Sequence, residues 1–193
     1  MEVKETAEKY MHHTYADYEK SNDDERFELI DGVVYMMSTP SQAHQEILLE
    51  MAVQFRDFLK SEPCKVLIAP FAVRLNAADN DDTVLEPDLL VVCDMSKLDG
   101  KSCVGAPDLV VEILSPSTSR KDRIIKLNKY LKAGVREYWI VSPEDKSITA
   151  HTLKNGEYVI NGYASEETDA VAVHVLEGCM INVHDIFNGL ENS

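Results

Sequence analysis

The stretch from Gly105 to Ser142, GAPDLVVEILSPSTSRKDRIIKLNKYLKAGVREYWIVS, decides the fold. It opens with Asp108–Leu114, an almost continuous run of aliphatic and β-branched residues that is typical of a central strand covered on both faces. Pro116 ends this run. The pattern from Thr118 to Ala133 then predicts a helix, with Gly134 just past its C-terminus, and REYWIVS predicts a further strand. The stretch therefore indicates a helix between two strands of a layered α/β or α+β fold.

The flanking segments add hairpins and a long helix to this pattern. In FELIDGVVYMM the pair Asp31-Gly32 lies between two apolar runs, which predicts a two-residue hairpin turn. After Pro40, Ser41 is the expected N-cap of an amphipathic helix of about five turns. Further elements are predicted at Thr14–Lys20 (helix), Val66–Ala69, Phe71–Leu75, Asp88–Cys93 and Val171–Val175 (extended), Asn155-Gly156 (hairpin turn) and AADNDDT (exposed loop). Together they predict a central mixed β-sheet flanked by helices.

Length and composition bound the class of protein. The chain has 193 residues, of which 45% are hydrophobic and 27% are charged. This length suits one substantial core, so we expect one domain over residues 1–193 with a core from about 14 to 187. No apolar stretch approaches the ~18 residues that span a bilayer, and the N-terminal residues lack the apolar segment of a signal peptide. We therefore expect a cytoplasmic protein without a membrane anchor.

The charge and the cysteines each argue against a class of function. The formal net charge of −15 opposes extensive contact with phosphates, because nucleic-acid affinity comes largely from positive charge. The four cysteines, Cys64, Cys93, Cys103 and Cys179, contain no CxxC pair, which argues against a zinc or thioredoxin-type site. Cys64 and Cys93 border hydrophobic runs, so we expect them to be buried, reduced thiols.

Two carboxylates occupy positions where a hydrophobic residue is expected. Asp88 precedes the run LLVVC, and Glu112 interrupts Asp108–Leu114. Ionised carboxylates on neighbouring buried strands repel each other, and a hard divalent cation with oxygen ligands relieves that repulsion. The alternative, that one or both lie near strand ends and face water, stays open.

The helix after the Glu112 strand offers a lysine to the same region. At 100° per residue, Asp122, Lys126 and Tyr130 form one row on its flank, so Lys126 could reach Glu112. The core stripe of this helix is expected at Ile124, Leu127 and Leu131, and Lys129 is expected in solvent. The alternative is an ordinary solvated pair between Asp122 and Lys126, worth only ~0.3 kcal/mol.

Two further polar residues have no function that their own pattern reveals. His44 opens the apolar stripe of the long helix and should face the sheet, where a core histidine bonded to a carbonyl is the commoner explanation. Glu28, just before the Asp31-Gly32 turn, would pass as a strand residue facing solvent. The other histidines have no spacing that suggests a metal site.

Five blocks carry a resemblance to a known family: FELIDGVVYMMSTPSQAHQ, EPDLLVV, GAPDLVVEILSPST, DRIIKLNKY and AGVREYWIVSP. Their order from Phe27 to Pro143 resembles the Uma2 family (DUF820) of the PD-(D/E)xK restriction-endonuclease-like superfamily. The resemblance implies a restriction-endonuclease-like core with a metal site at Asp88 and Glu112, supported by Glu28 and His44. It also implies that Leu114 replaces the usual strand lysine and that Lys126 on the helix takes its place.

The expected function follows from this resemblance. We expect an endonuclease that hydrolyses phosphodiester bonds with Mg²⁺ or Mn²⁺, acts on nucleic acid, with DNA favoured, and forms a homodimer. Its catalytic residues would be Glu28, His44, Asp88, Glu112 and Lys126. A catalytically silent binding or interaction module with the same fold is the alternative. Basic residues that could act locally against the net charge are Arg120, Lys121, Arg123, Lys126, Lys129, Lys132 and Arg136.

Overall fold

The structure is a computed structural model of the chain and describes residues 11–21, 26–116, 118–165, 170–188 and 190. These residues form two larger β-sheets and a two-stranded one, with helices packed against them. No helix in these ranges is long and apolar enough to cross a bilayer. The first sheet has five strands in the order β2-β1-β5-β4-β7 and contains Phe27–Ile30 (β1), Val33–Met36 (β2), Ala72–Arg74 (β4), Val84–Leu85 (β5) and Ser102–Val104 (β7).

The second, larger sheet carries the main core. Its six strands follow the order β11-β10-β9-β8-β6-β3 and are Lys65–Ile68 (β3), Leu89–Val92 (β6), Leu109–Ile113 (β8), Glu137–Ser142 (β9), Ser147–Lys154 (β10) and Glu157–Ser165 (β11). The strands β8 and β9 pair in parallel, while β6 pairs with β8 in the antiparallel sense. Because this sheet contains both parallel and antiparallel strand pairs, the predicted central mixed sheet is confirmed.

Helices complete the layers around this sheet. The chain between β8 and β9 forms a π-helical turn at Lys121–Lys126 and then an α-helix, so that the parallel strand pair is joined by a helical crossover. The α-helices are Tyr15–Tyr18 (α1), Gln42–Leu59 (α2), Leu127–Ala133 (α3) and Val183–Asn188 (α4). A two-stranded pair, Ala170–Ala172 (β12) and Met180–Asn182 (β13), lies near the chain's end.

The central strand β8 is buried along its whole length, as its apolar sequence predicts. Leu109, Val111 and Ile113 pack in one core cluster with the apolar face of α2. Val110 and Leu114 pack in the cluster on the opposite sheet face, beneath α3 and the first sheet. Because side chains alternate along a strand, Glu112 points to this second face. The prediction that this strand is covered on both faces is thus confirmed.

Local signals in the sequence explain several element boundaries. Asp31 and Gly32 have φ angles of 51° and 74°, the left-handed values that a tight hairpin turn requires. The Ser41 side chain accepts a hydrogen bond from the backbone N–H of His44, which confirms the predicted N-cap and places His44 in the first turn of α2. Gly134 ends α3 with a left-handed φ of 86°, as a C-terminal glycine does.

Several expectations are wrong in detail. Cys64 and Cys93 form a disulfide between the start of β3 and the end of β6 instead of standing as reduced thiols, whereas Cys103 and Cys179 are free and buried. The short strands β5, β7 and β13 and the helix α4 were not predicted, because their apolar runs are too short to show a period. The loop AADNDDT is exposed only in part, since Asp82 and Thr83 at its end are buried.

Candidate functional site

A cleft opens where the start of β6 and the end of β8 meet the first turn of α2 and the π-helical turn. Its volume is about 710 Å³. Glu28, His44, Asp88, Glu112 and Lys126 all line it, so the structure brings together every site residue that the sequence suggests. They come from β1, α2, the residue before β6, β8 and the π-helical turn, and the fold alone makes them neighbours.

Asp88 and Glu112 lie side by side on adjacent strands. The register of β6 and β8 pairs Leu89 with Val111, so one step further Asp88 lies opposite Glu112. Asp88 Oδ2 accepts a 2.7 Å hydrogen bond from the backbone N–H of Ile113, which anchors the carboxylate against β8. Both carboxylates are largely shielded, so the alternative that they face water is wrong.

His44 holds the other oxygen of Asp88. Its Nε2 lies 3.2 Å from Asp88 Oδ1, while its Nδ1 is buried without a hydrogen-bond partner in the described part of the chain. The carbonyl-bonded core histidine is therefore not what the structure shows. His44 instead orients a carboxylate of the cleft, because the first turn of α2 lies beside the start of β6.

Glu28 is fully buried instead of facing solvent. Its Oε2 lies 2.7 Å from the ammonium of Lys121, and its Oε1 lies 2.7 Å from that of Lys126. The backbone N–H of Glu86 donates a 3.2 Å hydrogen bond to the same Oε1. Burial would raise the pKa of Glu28, but the two ammonium groups outweigh it and lower this pKa.

Lys126 lies at the centre of the carboxylates. Its Nζ is 2.7 Å from Glu28, 2.9 Å from Glu112 and 3.5 Å from Asp122, and its side chain is 3% exposed. The solvated pair of Asp122 and Lys126 is thus wrong, and the predicted reach of Lys126 to Glu112 is confirmed. Tyr130 completes the row, since its hydroxyl donates a 2.8 Å hydrogen bond to Glu112.

The electrostatics of the cleft favour an additional cation. Burial raises the pKa of Glu112 well above its ordinary value; the negative charges of Asp122, Asp88 and Glu28 raise it further, against the opposing effect of Lys126. Burial also raises the pKa of Asp122. Among the described residues of this cluster, the carboxylates of Glu28, Asp88, Glu112 and Asp122 stand against the ammonium groups of Lys121 and Lys126.

The donor set fits a magnesium-type ion rather than a closed protein cage. Mg²⁺ is usually held by one or two carboxylates, with water and substrate phosphate as the other ligands. Asp88 and Glu112 offer such a pair of hard oxygen donors. In the part of the chain that the structure describes, no group of three or more His, Cys, Asp or Glu side chains is arranged to hold a metal by itself. A structural zinc-like site is therefore not what this cleft offers.

The predicted basic cluster is mostly paired with carboxylates. Lys121 and Lys126 contact Glu28, Lys129 pairs with Asp31, and Arg136 lies 3.0 Å from Asp108. Lys129 was expected in solvent, but this pair draws its side chain onto the β1–β2 turn. The expected core stripe is also wrong at Ile124, which is 52% exposed because the π-helical turn changes the angular spacing.

Sequence reasoning missed two members of the site, Lys121 and Glu86. Lys121 reaches Glu28 only because the helix begins with a π turn, and no period in the sequence signals such a turn. Glu86 is buried at the cleft, where Arg26 and the hydroxyl of Tyr18 bind its carboxylate. The signal for Glu86 was present, since it precedes Pro87 and Asp88 and is itself a carboxylate at the edge of an apolar run.

The structure is a mixed α+β fold that brings the five candidate residues into one cleft. A sequence model of the Uma2 family, described as "Putative restriction endonuclease", matches residues 12–184. The chain therefore belongs to the Uma2 family. The family description and the nuclease-like fold support a nuclease function.

A curated relative and a solved structure resemble the chain along most of its length. The "Uncharacterized protein slr1290" of Synechocystis sp. (strain ATCC 27184 / PCC 6803 / Kazusa) is 28% identical over 169 residues, which cover 86% of this chain and 85% of the relative. The crystal structure of "a putative nuclease belonging to DUF820" from Anabaena variabilis ATCC 29413 superposes with a TM-score of 0.73 at 19% identity. It covers 92% of this chain and 99% of that chain, and it confirms the fold.

Proposed function

We propose that the protein is a metal-dependent endonuclease that hydrolyses phosphodiester bonds of nucleic acid. The observation that carries this proposal is the pair Asp88 and Glu112 on adjacent strands, shielded from water and flanked by the buried Lys126. A surplus of carboxylates in a cleft of low exposure attracts a divalent cation. The members of the site would be Glu28, His44, Asp88, Glu112 and Lys126, with Asp88 and Glu112 as metal ligands.

Mg²⁺ or Mn²⁺, when bound by Asp88 and Glu112, would polarise the phosphodiester and lower the pKa of a water molecule. The protein's own residues position these ligands. His44 and the backbone N–H of Ile113 fix the two oxygens of Asp88, so that its carboxylate cannot rotate. Tyr130 and Lys126 fix Oε1 of Glu112, which leaves its other oxygen to face the cleft.

Lys126 and Glu28 would act on the negative charge that develops on the phosphate during hydrolysis. An ammonium at the centre of the site stabilises negative charge on the phosphoryl oxygens as the water attacks. Glu28 keeps that ammonium in place, because its fully buried carboxylate lies 2.7 Å from Lys126 Nζ. Glu28 is thus a positioning residue, and a neutral replacement should affect the rate of cleavage more than the binding of metal.

The experiment is a cleavage assay combined with calorimetry. The parent protein should bind Mg²⁺ or Mn²⁺ with measurable heat and cleave nucleic acid, whereas Asp88→Asn should lose both, because the amide offers a weaker ligand. Asp185→Asn, which removes an exposed carboxylate on α4 outside the cleft, is the matched control. The net charge of −15 favours the alternative of a silent interaction module. That alternative gains if the parent shows no metal heat at millimolar concentration and no cleavage.

Three finer parts of the proposal concern assembly, location and the type of nucleic acid. We keep the homodimer and the cytoplasmic location as proposals, with DNA favoured over RNA as the substrate. Sedimentation that shows only monomer at micromolar protein would remove the dimer. The Cys64–Cys93 disulfide stands against a cytoplasmic location, because cytosolic thiols are usually kept reduced. Trapping the thiols with an alkylating reagent in intact cells would decide their state there.

A further inference from the structure

The carboxylates of the site lie at the bottom of the cleft. The Glu112 side chain is 5% exposed, and Glu28 is fully buried. A phosphate group of the substrate must therefore enter the cleft to approach these carboxylates. Duplex DNA is stiff over about 150 base pairs, and its phosphates are fixed along a rigid helix. A single strand has no such constraint, so its backbone can bend inward at one nucleotide.

The charge of the cleft limits how many phosphates it accepts. Among the described residues that line it, seven are Asp or Glu and four are basic, namely Arg26, Lys121, Arg123 and Lys126. Three of these four cations are already paired with carboxylates, Arg26 with Glu86 and both lysines with Glu28. Proteins that bind duplex by many phosphate contacts neutralise 6–10 of them with Lys and Arg, as a rough range. This cleft has no such set of cations.

The other residues that line the cleft are neutral for the most part. They include the hydroxyl side chains of Thr39, Ser41, Thr118 and Ser119 and the rings of three prolines. Such groups bond or contact sugars and bases without needing negative charge on the ligand. The volume of about 710 Å³ lies within the range of small-molecule sites, which is roughly 300–1,000 Å³. The cleft therefore suits a short segment of a strand.

We infer that the site takes a nucleic-acid single strand, through a free end or an unpaired segment, and that only one or two phosphates contact the protein. This inference rests on the proposed function and names its substrate class. Burial of the carboxylates, the shortage of cations and the neutral walls all lead to it. Single-stranded DNA and RNA share this chemistry, and the experiment separates them.

The first test compares substrates in Mn²⁺. Circular single-stranded DNA and linear RNA should be cleaved about 100-fold faster than relaxed closed-circular duplex, because unpairing a nucleotide costs a few kcal/mol. The faster of the two single-stranded arms identifies the sugar that the cleft prefers. Equal rates on duplex and single strand would overturn the inference while leaving the nuclease function intact.

The second test measures binding, so that it does not depend on turnover. A fluorescent single-stranded oligonucleotide is titrated by anisotropy in Ca²⁺ at several salt concentrations. Two phosphate contacts predict a slope of about −1.4 for log K against log salt, since each contributes about −0.7 on a single strand. A much steeper slope, or no binding of any strand, would overturn the inference. Binding without cleavage of any substrate would instead contradict the proposed function.

A pair of charge reversals locates the effect. Glu144 is exposed at the cleft, and Glu157 is exposed at the β10–β11 turn away from it, so both variants change the net charge equally. Glu144→Lys should add one phosphate contact and steepen the slope by about 0.7. Glu157→Lys should leave the slope unchanged. Equal slopes in the two variants would show that the whole molecule's charge, and not the cleft, sets the affinity.

A separate observation, the π-helical turn, concerns Lys121. In an α-helix, residues five apart point about 140° from each other at 100° per residue. The wider turn at Lys121–Lys126, closed by a hydrogen bond from the backbone N–H of Leu127 to the carbonyl of Asp122, brings Lys121 and Lys126 to one side. Both ammonium groups therefore reach Glu28. π turns of this kind occur often at functional sites.

The two lysines differ in what remains available to a ligand. Lys126 is surrounded by three carboxylates and is 3% exposed. Among the described residues, Lys121 has its ion pair with Glu28, lies 5.8 Å from the ring of Tyr35 and keeps 14% of its side chain exposed in the cleft. We propose that Lys121 contacts the substrate phosphate next to the scissile one, while Lys126, held in place by the carboxylates, acts at the scissile phosphate itself.

The test removes the charge of Lys121 but keeps most of its stem. Lys121→Met should raise KM with a smaller change in kcat and make the salt slope about 0.7 shallower, and Lys121→Arg should restore both. Lys132→Met, exposed on α3, is the matched control. A merely structural role would lower the melting temperature and leave the slope alone. An unchanged slope in Lys121→Met would therefore overturn the assignment.

Discussion

Glu112 is held where its own charge is disfavoured. Burial and three neighbouring carboxylates raise its pKa, and one lysine and one tyrosine hydroxyl oppose that effect by binding Oε1. An ionised carboxylate in such surroundings costs stability unless a cation compensates it. At the residue scale, the site thus contains a buried carboxylate that lowers the stability of the metal-free protein.

The first prediction concerns Glu112→Gln. The pKa of Glu112 is higher in the folded protein than its ordinary value of about 4.5. The protonated carboxyl therefore favours the folded state at a pH below about 4.5, and this contribution is lost as the pH rises through the folded pKa. The glutamine amide does not ionise, so the variant does not lose stability as the pH rises. Its carbonyl oxygen can still accept the hydrogen bond from the Tyr130 hydroxyl. We expect an unchanged or higher metal-free melting temperature, with an advantage that grows as the pH rises. A large loss at neutral pH would show that the pair with Lys126 dominates.

The second prediction concerns Lys126→Ala. Removing this ammonium leaves Glu28, Glu112 and Asp122 buried with one cation fewer, and breaking a buried pair in this way costs about 3–5 kcal/mol. Urea unfolding without metal should show that loss, and Mg²⁺ should recover part of it by supplying positive charge. Lys132→Ala, at an exposed site, should change the free energy of unfolding by less than about 0.5 kcal/mol. Similar small losses in both variants would contradict the buried network.

At the scale of elements, the sequence predicts what depends on one strand or one helix face. Asp88 and Glu112 are visible because each is a carboxylate at an apolar run, and the row of Asp122, Lys126 and Tyr130 is visible from spacing alone. Lys121 is not, because its direction depends on a π turn that has no sequence period. The disulfide also escapes prediction, since it depends on the pairing of β3 with β6.

The third prediction concerns that disulfide, which ties the start of β3 to the end of β6. Cys64 and Cys93 are 29 residues apart, and a cross-link over a loop of this length stabilises a protein by about 3.5 kcal/mol, because it restricts the unfolded chain. Reduction should lower the free energy of unfolding by this amount, and the double variant Cys64→Ser/Cys93→Ser should no longer respond to reductant. Cys103→Ala should keep the response. A parent protein insensitive to reductant would show that the bond does not form in solution.

At the scale of the whole molecule, the charge and the site make opposite demands. A net charge of −15 repels phosphates at a distance, but the Debye length of about 8 Å at physiological salt confines that repulsion to the neighbourhood of each carboxylate. An acidic surface also collects divalent ions without specificity. Any effect of Mg²⁺ on this protein is therefore the sum of a general screening and a contribution from one cleft, and the two must be measured apart.

The last prediction separates them by thermal unfolding. An ion that binds only the folded protein stabilises it by about 2.7 kcal/mol at 100 times its Kd, which for a chain of this size corresponds to roughly 5–10 °C. NaCl at matched ionic strength should give only the smaller rise that comes from screening. Asp88→Asn changes the net charge of −15 by only one unit, so the variant should retain the response to NaCl. It should lose the additional rise in melting temperature that Mg²⁺ produces in the parent. The same Mg²⁺ excess in parent and variant would mean that the ion binds the acidic surface at large, and the metal site at Asp88 and Glu112 would have to be abandoned.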